Sequence, residues 1–584
     1  MLSILLLCGI SAAAGALEVN KQELESAGSF DSIVFQNYTG PHVKIDSAAA
    51  ITAIGSGLGS FVAAKSGGYT AAGDQNRYYV IHAVDPAVKE KLDADILILG
   101  ANAAVDHIDN VRRIIAGYLS AAYGYSSSDS ATIAKFVTVY NAVYRGNLEV
   151  FKQKYKDAVT KHLTKEKAGI ALKYQEWPGN TQLVIPLADL SGGALGTIDT
   201  SVISDKNVVE SLRSEEGKAL EERKNMVDLK EREADAASEK AQAAQQEAAY
   251  QQSQARAQQE AAEKALQEAE ESARKAQEAA AQAEKARQEA QEAAEKAQQA
   301  QKEAEEAAQK AAAAPGNADN AKAAQEAAAR SAEEQRLAQE KQQQAADQEK
   351  AADEARKASE EKQQQADAEK QLADELAKKA EEAKKHADEA EEKAEQKMSE
   401  AASDRTSIAK DQQQLIAEEK QNAASPSVEG MVLTDEAKLL SGIVRVNADT
   451  GKVIKTSPVT VIRNRTMYDT GSSFIAIAGE TGDNKAVKLV LLDKTNLEIV
   501  KESIETVAPE SVLIQNGSTY YCIVQDGSNN VLASYQSDLT LIRRSSVPLN
   551  ASSPVTVTPN GIVVTGSDNA VKILSPDTLA ETAR

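Results

Sequence analysis

The chain of 584 residues contains few of the residues that form disulfides or bind metals: two cysteines and five histidines. Cys8 lies in an apolar N-terminal stretch, and its removal would leave Cys522 alone. A single cysteine cannot form an internal disulfide, which excludes a disulfide-stapled scaffold. Cys522 lies in the apolar run Tyr520–Val524 and is interpreted as a small buried residue of a strand.

Basic residues are also fewer than acidic ones: the chain has 66 Lys and Arg and 88 Asp and Glu, which gives a net charge of −22. Sequence-independent binding of nucleic acid needs a basic face that displaces counterions. An anionic membrane surface likewise attracts basic segments. Neither is expected as a partner. No segment of the mature chain is long and apolar enough to be a transmembrane segment.

Residues 1–16 are typical of a secretory signal peptide. Leu2–Ile10 is apolar, and Ala14-Gly15-Ala16 offers small residues for cleavage. A basic n-region is missing, which fits a translation start upstream of Met1. We expect an exported protein in the periplasm, with the outer surface as the alternative.

An Ala, Glu, Gln and Lys tract dominates residues 206–424 and has a seven-residue repeat. The first series is Leu220, Val227, Ala234, Ala241, Ala248, Ala255, Ala262, Ala269, Ala276, Ala283, Ala290, Ala297, Ala304 and Ala311, and a later one runs from Ala324 to Leu415. Such a repeat keeps one stripe facing a partner only if helices supercoil. It predicts a coiled-coil stalk, which positions other parts and carries no chemistry.

Pro315 and Gly316 interrupt the tract near its middle and are followed by Asn317. Proline ends the incoming helix, and we expect Asp319 or Asn320 to cap the outgoing one.

A turn at this point would pair large residues at the two far ends of the tract. Leu220 would lie opposite Leu415, and Val227 opposite Ile408. This register predicts an antiparallel hairpin with a packed base and an Ala-lined shaft. A parallel dimer with a kink, and a solvated or partly disordered helix, remain alternatives.

Residues 17–205 show an α+β pattern. Strands are predicted at 32–38, 95–99 and 182–187, and helices at 111–123, 130–144 and 148–163. The run Gly55-Ser56-Gly57-Leu58-Gly59 departs from a dinucleotide loop and is interpreted as helix packing. Trp177 is interpreted as a packed indole in a turn.

The polar residues of this region do not match a catalytic or metal-binding pattern. No serine-hydrolase, zinc-protease or Walker motif is present, and the histidines lack ligand spacing. We therefore expect no enzyme, no cofactor and no metal.

Several runs of this region resemble the 83/100-kDa antigen family of spirochaetes. They are Asn37-Tyr38-Thr39-Gly40-Pro41, Arg113-Ile114-Ile115-Ala116-Gly117-Tyr118-Leu119, Tyr140-Asn141-Ala142-Val143-Tyr144-Arg145-Gly146, and the stretch from Leu163 through Trp177 to Pro186. The resemblance implies an exported, envelope-associated antigen of the Borrelia and Treponema type and supplies no catalytic residues. The Ala-rich middle departs from the Borrelia-type members, which are richer in Lys, Glu and Asp.

Residues 425–584 change to short β-runs separated by turns. A hairpin pattern recurs, and it aligns on Gly451, Leu497, Leu539 and Leu579. This spacing is typical of propeller blades. An open array, a small four-bladed ring and a sandwich are all compatible with four repeats.

The sequence thus predicts a signal peptide (1–16), an α+β domain (17–205), a helical stalk with a turn at 315–320 (206–424) and an all-β, propeller-like domain (425–584). The expected function is that of an envelope structural or interaction protein whose stalk positions two modules. The alternative is a surface-exposed adhesin or antigen. The partner, a protein or an envelope component, is not identified by the sequence, and homo-oligomerisation stays open.

Overall fold

A computed structural model describes residues 33–64, 70–188, 190 and 194–582 of the chain. The expected signal peptide lies outside these residues. Two compact units are distinguished, one formed by Met1–Glu233 with Lys397–Arg584 and the other by Ala234–Gln396. We call them the junction unit and the shaft unit.

The N-terminal part of the junction unit is an α+β module with one antiparallel sheet. Its strands pair in the order β1-β2-β3-β4. They are β1 (Thr70–Gly73), β2 (Tyr78–Ala83), β3 (Asp93–Leu99) and β4 (Thr181–Leu187). The helices are α1 (Ala48–Ala63), α2 (Ile108–Tyr123), α3 (Ser127–Val143), α4 (Leu148–Lys154), α5 (Asp157–Thr160), α6 (Thr200–Ile203) and α7 (Lys206–Arg213). The predicted α+β class is confirmed.

Two predicted elements of this module are wrong. The segment at 33–38 joins no sheet, because Gln36 bonds to Leu172 and Tyr174 whereas Tyr38 bonds to Asp106. The helix predicted at 148–163 is instead the two short helices α4 and α5. The break occurs because Leu92 pairs through its backbone with the chain on both sides of Tyr155.

The glycine-rich run lies inside α1, where it lets two helices approach closely. A Cβ atom on Gly55 would lie 1.8 Å from the carbonyl oxygen of Ile114, and one on Gly59 would lie 2.4 Å from that of Tyr118. Both carbonyls belong to α2. No larger residue fits these positions without moving the backbone, so the packing interpretation is correct.

Two very long helices make up the tract of seven-residue repeats. α8 (Leu220–Ala313) has 94 residues and α9 (Ala318–Ala423) has 106. The turn between them contains Pro315, Gly316 and Asn317, as predicted. The cap is Asn317, whose side-chain oxygen accepts from the backbone N–H groups of Asp319 and Asn320. The expected caps are therefore wrong, because the helix begins earlier than the sequence suggested.

In the shaft unit α8 and α9 contact each other in antiparallel order. Lys341 bonds to Glu289 at 2.7 Å, and Lys362 bonds to Glu268 at 2.8 Å. Farther along, Gln245 bonds to Glu391 at 2.9 Å. As the residue number rises in α9 it falls in α8.

The helices leave an open groove of about 1050 Å³ within this unit. Ala248, Ala255 and Ala262 line it and are only half-buried, whereas Ala241 and Ala269 of the same series are buried. Nearby, the heptad positions that hold Ala in most other repeats carry glutamine, at residues 251 and 258. Longer polar side chains in the seam coincide with the stretch where the helices separate.

The C-terminal part of the junction unit is all-β, as predicted. Its strands are β5 (Ser427–Asp435), β6 (Leu440–Asn447), β7 (Val453–Thr456), β8 (Ile462–Asp469), β9 (Ser473–Ala478), β10 (Lys488–Asp493), β11 (Ile499–Glu502), β12 (Ile514–Asn516), β13 (Thr519–Asp526), β14 (Asn529–Tyr535), β15 (Leu541–Arg544), β16 (Thr556–Thr558), β17 (Gly561–Thr565) and β18 (Val571–Leu574). Antiparallel meanders β8–β11, β12–β15 and β16–β18 follow each other, and β7 pairs with β6 beside β5.

The sequence repeat corresponds to a repeated backbone conformation. Gly451, Leu497, Leu539 and Leu579 all have positive φ, from 54° to 67°. Leucine rarely adopts this left-handed conformation, so its recurrence marks equivalent hairpin turns. The three leucines are buried, and the hydroxyl of Ser457 donates to the carbonyl oxygen of Leu497 at 2.6 Å. The turn at Leu497 is therefore fixed by a hydrogen bond from the segment that follows β7.

Candidate functional site

The four residues predicted to pack at the stalk base lie in the junction unit. Val227 and Ile408 share one buried cluster with Ala401, and Leu220 packs against its side. Leu415 is half-buried and lines a cleft instead. The structure thus places Val227 and Ile408 in one cluster, as the predicted register requires, but it does not place Leu415 in the cluster against which Leu220 packs.

A buried carboxylate holds α9 to the N-terminal module. Asp411, with 1% of its side chain exposed, accepts two hydrogen bonds from Arg213 at 2.8 and 2.9 Å and one from Arg223 at 2.7 Å. Burial favours the neutral carboxyl, but the hydrogen bonds from both arginines outweigh it and lower the pKa of Asp411. The bidentate geometry with Arg213 fixes orientation as well as charge.

A second buried pair lies about four helical turns before Asp411 on α9. The ammonium of Lys397 bonds to Glu233 at 2.5 Å, and the hydroxyl of Thr200 donates to the same carboxylate oxygen at 2.7 Å. Glu233 belongs to α8, Lys397 to α9 and Thr200 to α6. One polar cluster therefore joins three elements.

The segment around Pro41 docks on the β-region through its backbone. Val43 N–H donates to Asn484 O at 2.9 Å, and Ala486 N–H donates to Pro41 O at 3.0 Å. The hydroxyl of Thr39 donates to Pro458 O at 2.7 Å. This segment is the Asn-Tyr-Thr-Gly-Pro run that carries the family resemblance, so one of its roles is to bind the two modules together.

Lys485 is the central side chain of this contact. Its ammonium lies 4.4 Å from the ring centre of Tyr38 and 4.5 Å from that of Tyr174. It also lies 3.1 Å from the carboxylate of Glu480, which Lys438 approaches at 2.8 Å. Cation–π contacts strengthen when the ring and the cation are desolvated. We call this cluster of Tyr38, Tyr174, Lys438, Glu480 and Lys485 the latch, because it holds the two modules together.

Glu480 stays charged in the latch. Burial opposes ionisation, but hydrogen bonds from Lys438, Lys485 and Tyr174 outweigh it and lower the pKa of this carboxyl. In the opposite direction, burial and the charge of Glu480 raise the pKa of Tyr174. The latch therefore combines a carboxylate with neutral phenols and two cations.

Two histidines of the N-terminal module, His82 and His107, take part in packing and helix capping. His82 bonds to Asp95 at 2.6 Å, and the hydroxyls of Tyr118 and Tyr123 donate to the other oxygen of that carboxylate. Burial disfavours the charged ring, but the hydrogen bond and charge of Asp95 raise the pKa of His82. His107 caps α2. Within the described ranges no group of three or more His, Cys, Asp or Glu side chains is arranged to hold a metal ion.

An open cleft of about 1010 Å³ lies where three parts of the junction unit meet. One wall is the end of α9, a second is the connection between α7 and α8, and the third is the β-region near β7. The connection is unusual because Gly217, Lys218 and Ala219 all have positive φ. Consecutive left-handed residues store strain that is typical of functional segments. This cleft is the candidate binding site.

Sequence reasoning missed both the latch and the cleft. Lys485 and Glu480 are ordinary surface residue types, and the Asp411 pair joins residues about two hundred positions apart. The one available signal was the Asn37–Pro41 run, whose match to the family marked it as important without giving its contact.

A profile of the Borrelia P83/100 protein family matches residues 21–288 and, again, residues 265–553. These matches cover most of the chain. The chain belongs to the Borrelia P83/100 protein family. No curated protein matches the chain significantly.

The Tyr140–Gly146 run that resembles P83/100 sequences is structural. Asn141 donates to Val184 O and accepts from Val184 N–H, so its amide extends the hydrogen bonding of β4. The guanidinium of Arg145 donates to three backbone carbonyls, at residues 166, 167 and 169. Trp177 is likewise buried, and its indole N–H donates to Ala171 O at 2.8 Å. These contacts give Asn141, Arg145 and Trp177 structural roles in this P83/100 module.

Proposed function

We propose that this P83/100 family protein is an exported envelope scaffold whose junction unit holds an N-terminal α+β module and a propeller-like β-module together as one binding platform. The β-module is an open, propeller-like array of meanders. The protein is not an enzyme in this proposal, because the polar residues of the N-terminal module serve packing, capping and docking. No described helix is long and apolar enough to cross a membrane.

The proposal rests on two separate sets of side-chain contacts in the junction unit. Asp411 joins α9 to Arg213 and Arg223, and Lys485 joins the β-module to Tyr38 and Tyr174. Buried or aromatic-enclosed charges are costly unless they are satisfied. Their presence indicates that the modules are held in a fixed arrangement.

Crosslinking tests the scaffold part of the proposal. The full-length double variant Val227→Cys with Ile408→Cys should form a disulfide within one chain under mild oxidation. The native Cys522 is fully buried and its thiol pKa is raised by burial, so it should not compete. Disulfides that form only between chains would contradict the proposal and would favour a parallel dimer.

Protease treatment of cells tests the location. For a periplasmic scaffold, the β-module should be cleaved only after the outer membrane is lysed. Cleavage on intact cells would instead support the second candidate, a surface-exposed adhesin or antigen, which the family resemblance favours.

A further inference from the structure

We propose that the β-modules of two copies of this chain stack head to tail, with the fourth meander of each copy covering the first meander of the other. The first meander is β5–β7, and the second, third and fourth are β8–β11, β12–β15 and β16–β18. The inference rests on the proposed open, propeller-like array and identifies its partner as a second copy of the chain. It is drawn from positions that recur in all four meanders.

The strand registers define which positions are equivalent. The paired residues closest to each repeated turn are Val446 with Val453, Leu492 with Ile499, Tyr535 with Leu541, and Leu574 with Glu581. In the preceding strand, the first members of these pairs lie opposite Val428, Phe474, Tyr520 and Ile562. These last four residues therefore occupy the same position in the four meanders. We call the face of each meander that carries this position its leading face.

The leading face of the first meander is uncovered. Phe474, Tyr520 and Ile562 are 3%, 2% and 0% exposed, and each shares a buried cluster with the meander before its own. Val428 is 51% exposed, because no described meander precedes β5–β7. Val453 lies on the same face, since residues paired across neighbouring strands share a face, and it is 50% exposed. The array therefore begins with an exposed apolar surface.

The opposite, trailing face of the fourth meander is exposed as well. Its marker position lies three residues before the first member of each pair at the turn, and this odd spacing places it on the other side of the strand. The residues at this position are Ile443, Leu489, Leu532 and Val571. The first three are 0% exposed, whereas the side chain of Val571 is 55% exposed. Ile573, on the same face of β18, is also exposed.

Contacts inside the array show what covers these faces. Three equivalent pairs each share one buried cluster: Ile443 with Phe474, Leu489 with Tyr520, and Leu532 with Ile562. In every case the trailing face of one meander covers the leading face of the next. The fourth pair of this series is Val571 with Val428, and within one chain both are exposed. A second copy supplies each of them with the apolar face that the repeat places there.

A closed pair of chains accounts for both ends of the array. Repeat arrays stay soluble when their terminal repeats have a polar outer face, but here both terminal faces carry exposed valines. A head-to-tail contact grows into a filament unless it closes into a ring. Two copies of four meanders make eight, and propellers typically have about four to eight blades. A pair of chains therefore covers both faces of each copy.

Light scattering of the full-length protein tests the stacking, and we expect the mass of two chains. Val428→Asp places a carboxylate in the apolar contact and should weaken association at least about a hundredfold. Val500→Asp is the matched control, because Val500 is 60% exposed and lies on β11 of the second meander, outside both terminal faces. A monomeric unaltered protein, open-ended polymers, or equal association of the two variants would overturn the inference.

A disulfide assay tests which faces meet and does not depend on the folding of the Asp variants. Val428→Cys and Val571→Cys are made as separate proteins, each with Cys8→Ser, so that the buried Cys522 is the single native thiol. After subunit exchange and mild oxidation, the mixture should give covalent dimers of the two proteins, whereas neither protein should crosslink alone. In the control mixture Val500→Cys replaces Val571→Cys. Crosslinking of Val428→Cys with itself, or equal crosslinking in the control mixture, would contradict head-to-tail stacking.

The Val227→Cys, Ile408→Cys variant separates this inference from the scaffold proposal. A protein that is monomeric by light scattering but forms the disulfide within one chain would overturn the stacking and leave the scaffold standing. A stacked pair of chains in which that disulfide does not form would contradict the scaffold instead.

Discussion

The same two helices are held by different interactions in the junction unit and in the shaft unit. In the junction unit they bury Val227 and Ile408, and the side chains of Asp411 and Arg223 are 1% and 3% exposed. In the shaft unit the seam is alanine, and the cross-helix pair of Arg287 and Glu349 has side chains that are 71% and 50% exposed. The buried contacts of the junction unit determine which residues face each other, whereas the shaft unit depends mainly on helix formation.

Physical chemistry explains why both designs work. Alanine buries little apolar area, and an exposed ion pair contributes at most about 1 kcal/mol. The shaft therefore depends on the high helix propensity of Ala, Glu, Gln and Lys. The buried charge pairs of the junction unit fix how α8 and α9 align. A shifted alignment would separate the partners and leave a buried charge uncompensated.

The largest difference should appear when a charge is removed from each region. Asp411→Ala leaves Arg213 and Arg223 without their carboxylate and should destabilise the N-terminal module by about 3 kcal/mol. Fluorescence of Trp177, the only tryptophan and a buried one, reports the unfolding of that module in denaturant.

The control for Asp411→Ala is Glu268→Gln, which removes the exposed partner of Lys362 in the shaft. It should leave the Trp177 transition unchanged. An Asp411→Ala protein as stable as the original would show that the buried network is not what fastens the base.

The second comparison concerns apolar packing. Ile408→Ala removes a large side chain from the buried cluster around Val227 and should cost about 2–4 kcal/mol. Trp177 fluorescence reports this loss, whereas far-ultraviolet circular dichroism reports the stability of the shaft helices. By circular dichroism, Ala297→Gly at a buried shaft position should show a loss of about 1 kcal/mol, dominated by helix propensity. Equal losses of stability would show that apolar packing contributes no more in the junction unit than in the shaft unit.

The sequence predicted those features that repeat. A seven-residue period brings Val227 and Ile408 into register, and a repeat of about forty residues marks equivalent turns at Leu497 and Leu539. Periodicity is read from spacing alone and needs no knowledge of partners.

Features that depend on one particular partner could not be predicted. The chain has 66 basic and 88 acidic residues, so nothing local singles out Arg213 and Asp411 as a buried pair. The strand predicted at 32–38 failed for the same reason, since its backbone partners are distant in sequence. Lys485 is part of the latch only because the fold brings two tyrosines to it.

Acid should separate the two regions further. The pKa of Asp411 is lowered on folding, so its contribution to stability is complete above about pH 4 and is lost as the pH falls through the lower folded value. Hydrogen bonds from Lys362 and Lys341 also lower the pKa values of Glu268 and Glu289, but these groups are exposed and screened by salt.

In an acid titration, added salt should therefore shift the far-ultraviolet circular dichroism of the helices more than the Trp177 fluorescence. Asp411→Asn should reduce the acid-dependent part of the fluorescence transition, and Glu480, whose pKa is also lowered in the junction unit, should account for part of the remainder. An equal response of both signals to salt would mean that the base is as solvated as the shaft.

The smallest expected effect tests why the shaft opens. Gln251 and Gln258 occupy seam positions beside the groove, and Gln258 donates a hydrogen bond to Glu369 of α9. Replacing both glutamines with alanine restores the repeat, so α8 and α9 should move closer over this stretch. The stability gain should be below about 1 kcal/mol, because alanine adds little buried area and slightly better helix propensity. Spin labels at Gln252 and Lys370, on opposite walls of the groove, measure the separation, with labels at Ala297 and Gln335 as a control pair outside it. An unchanged distance at the groove would show that residues other than the two glutamines set the opening. Lys370 and Lys384, which line the groove from α9, would then be the next positions to replace.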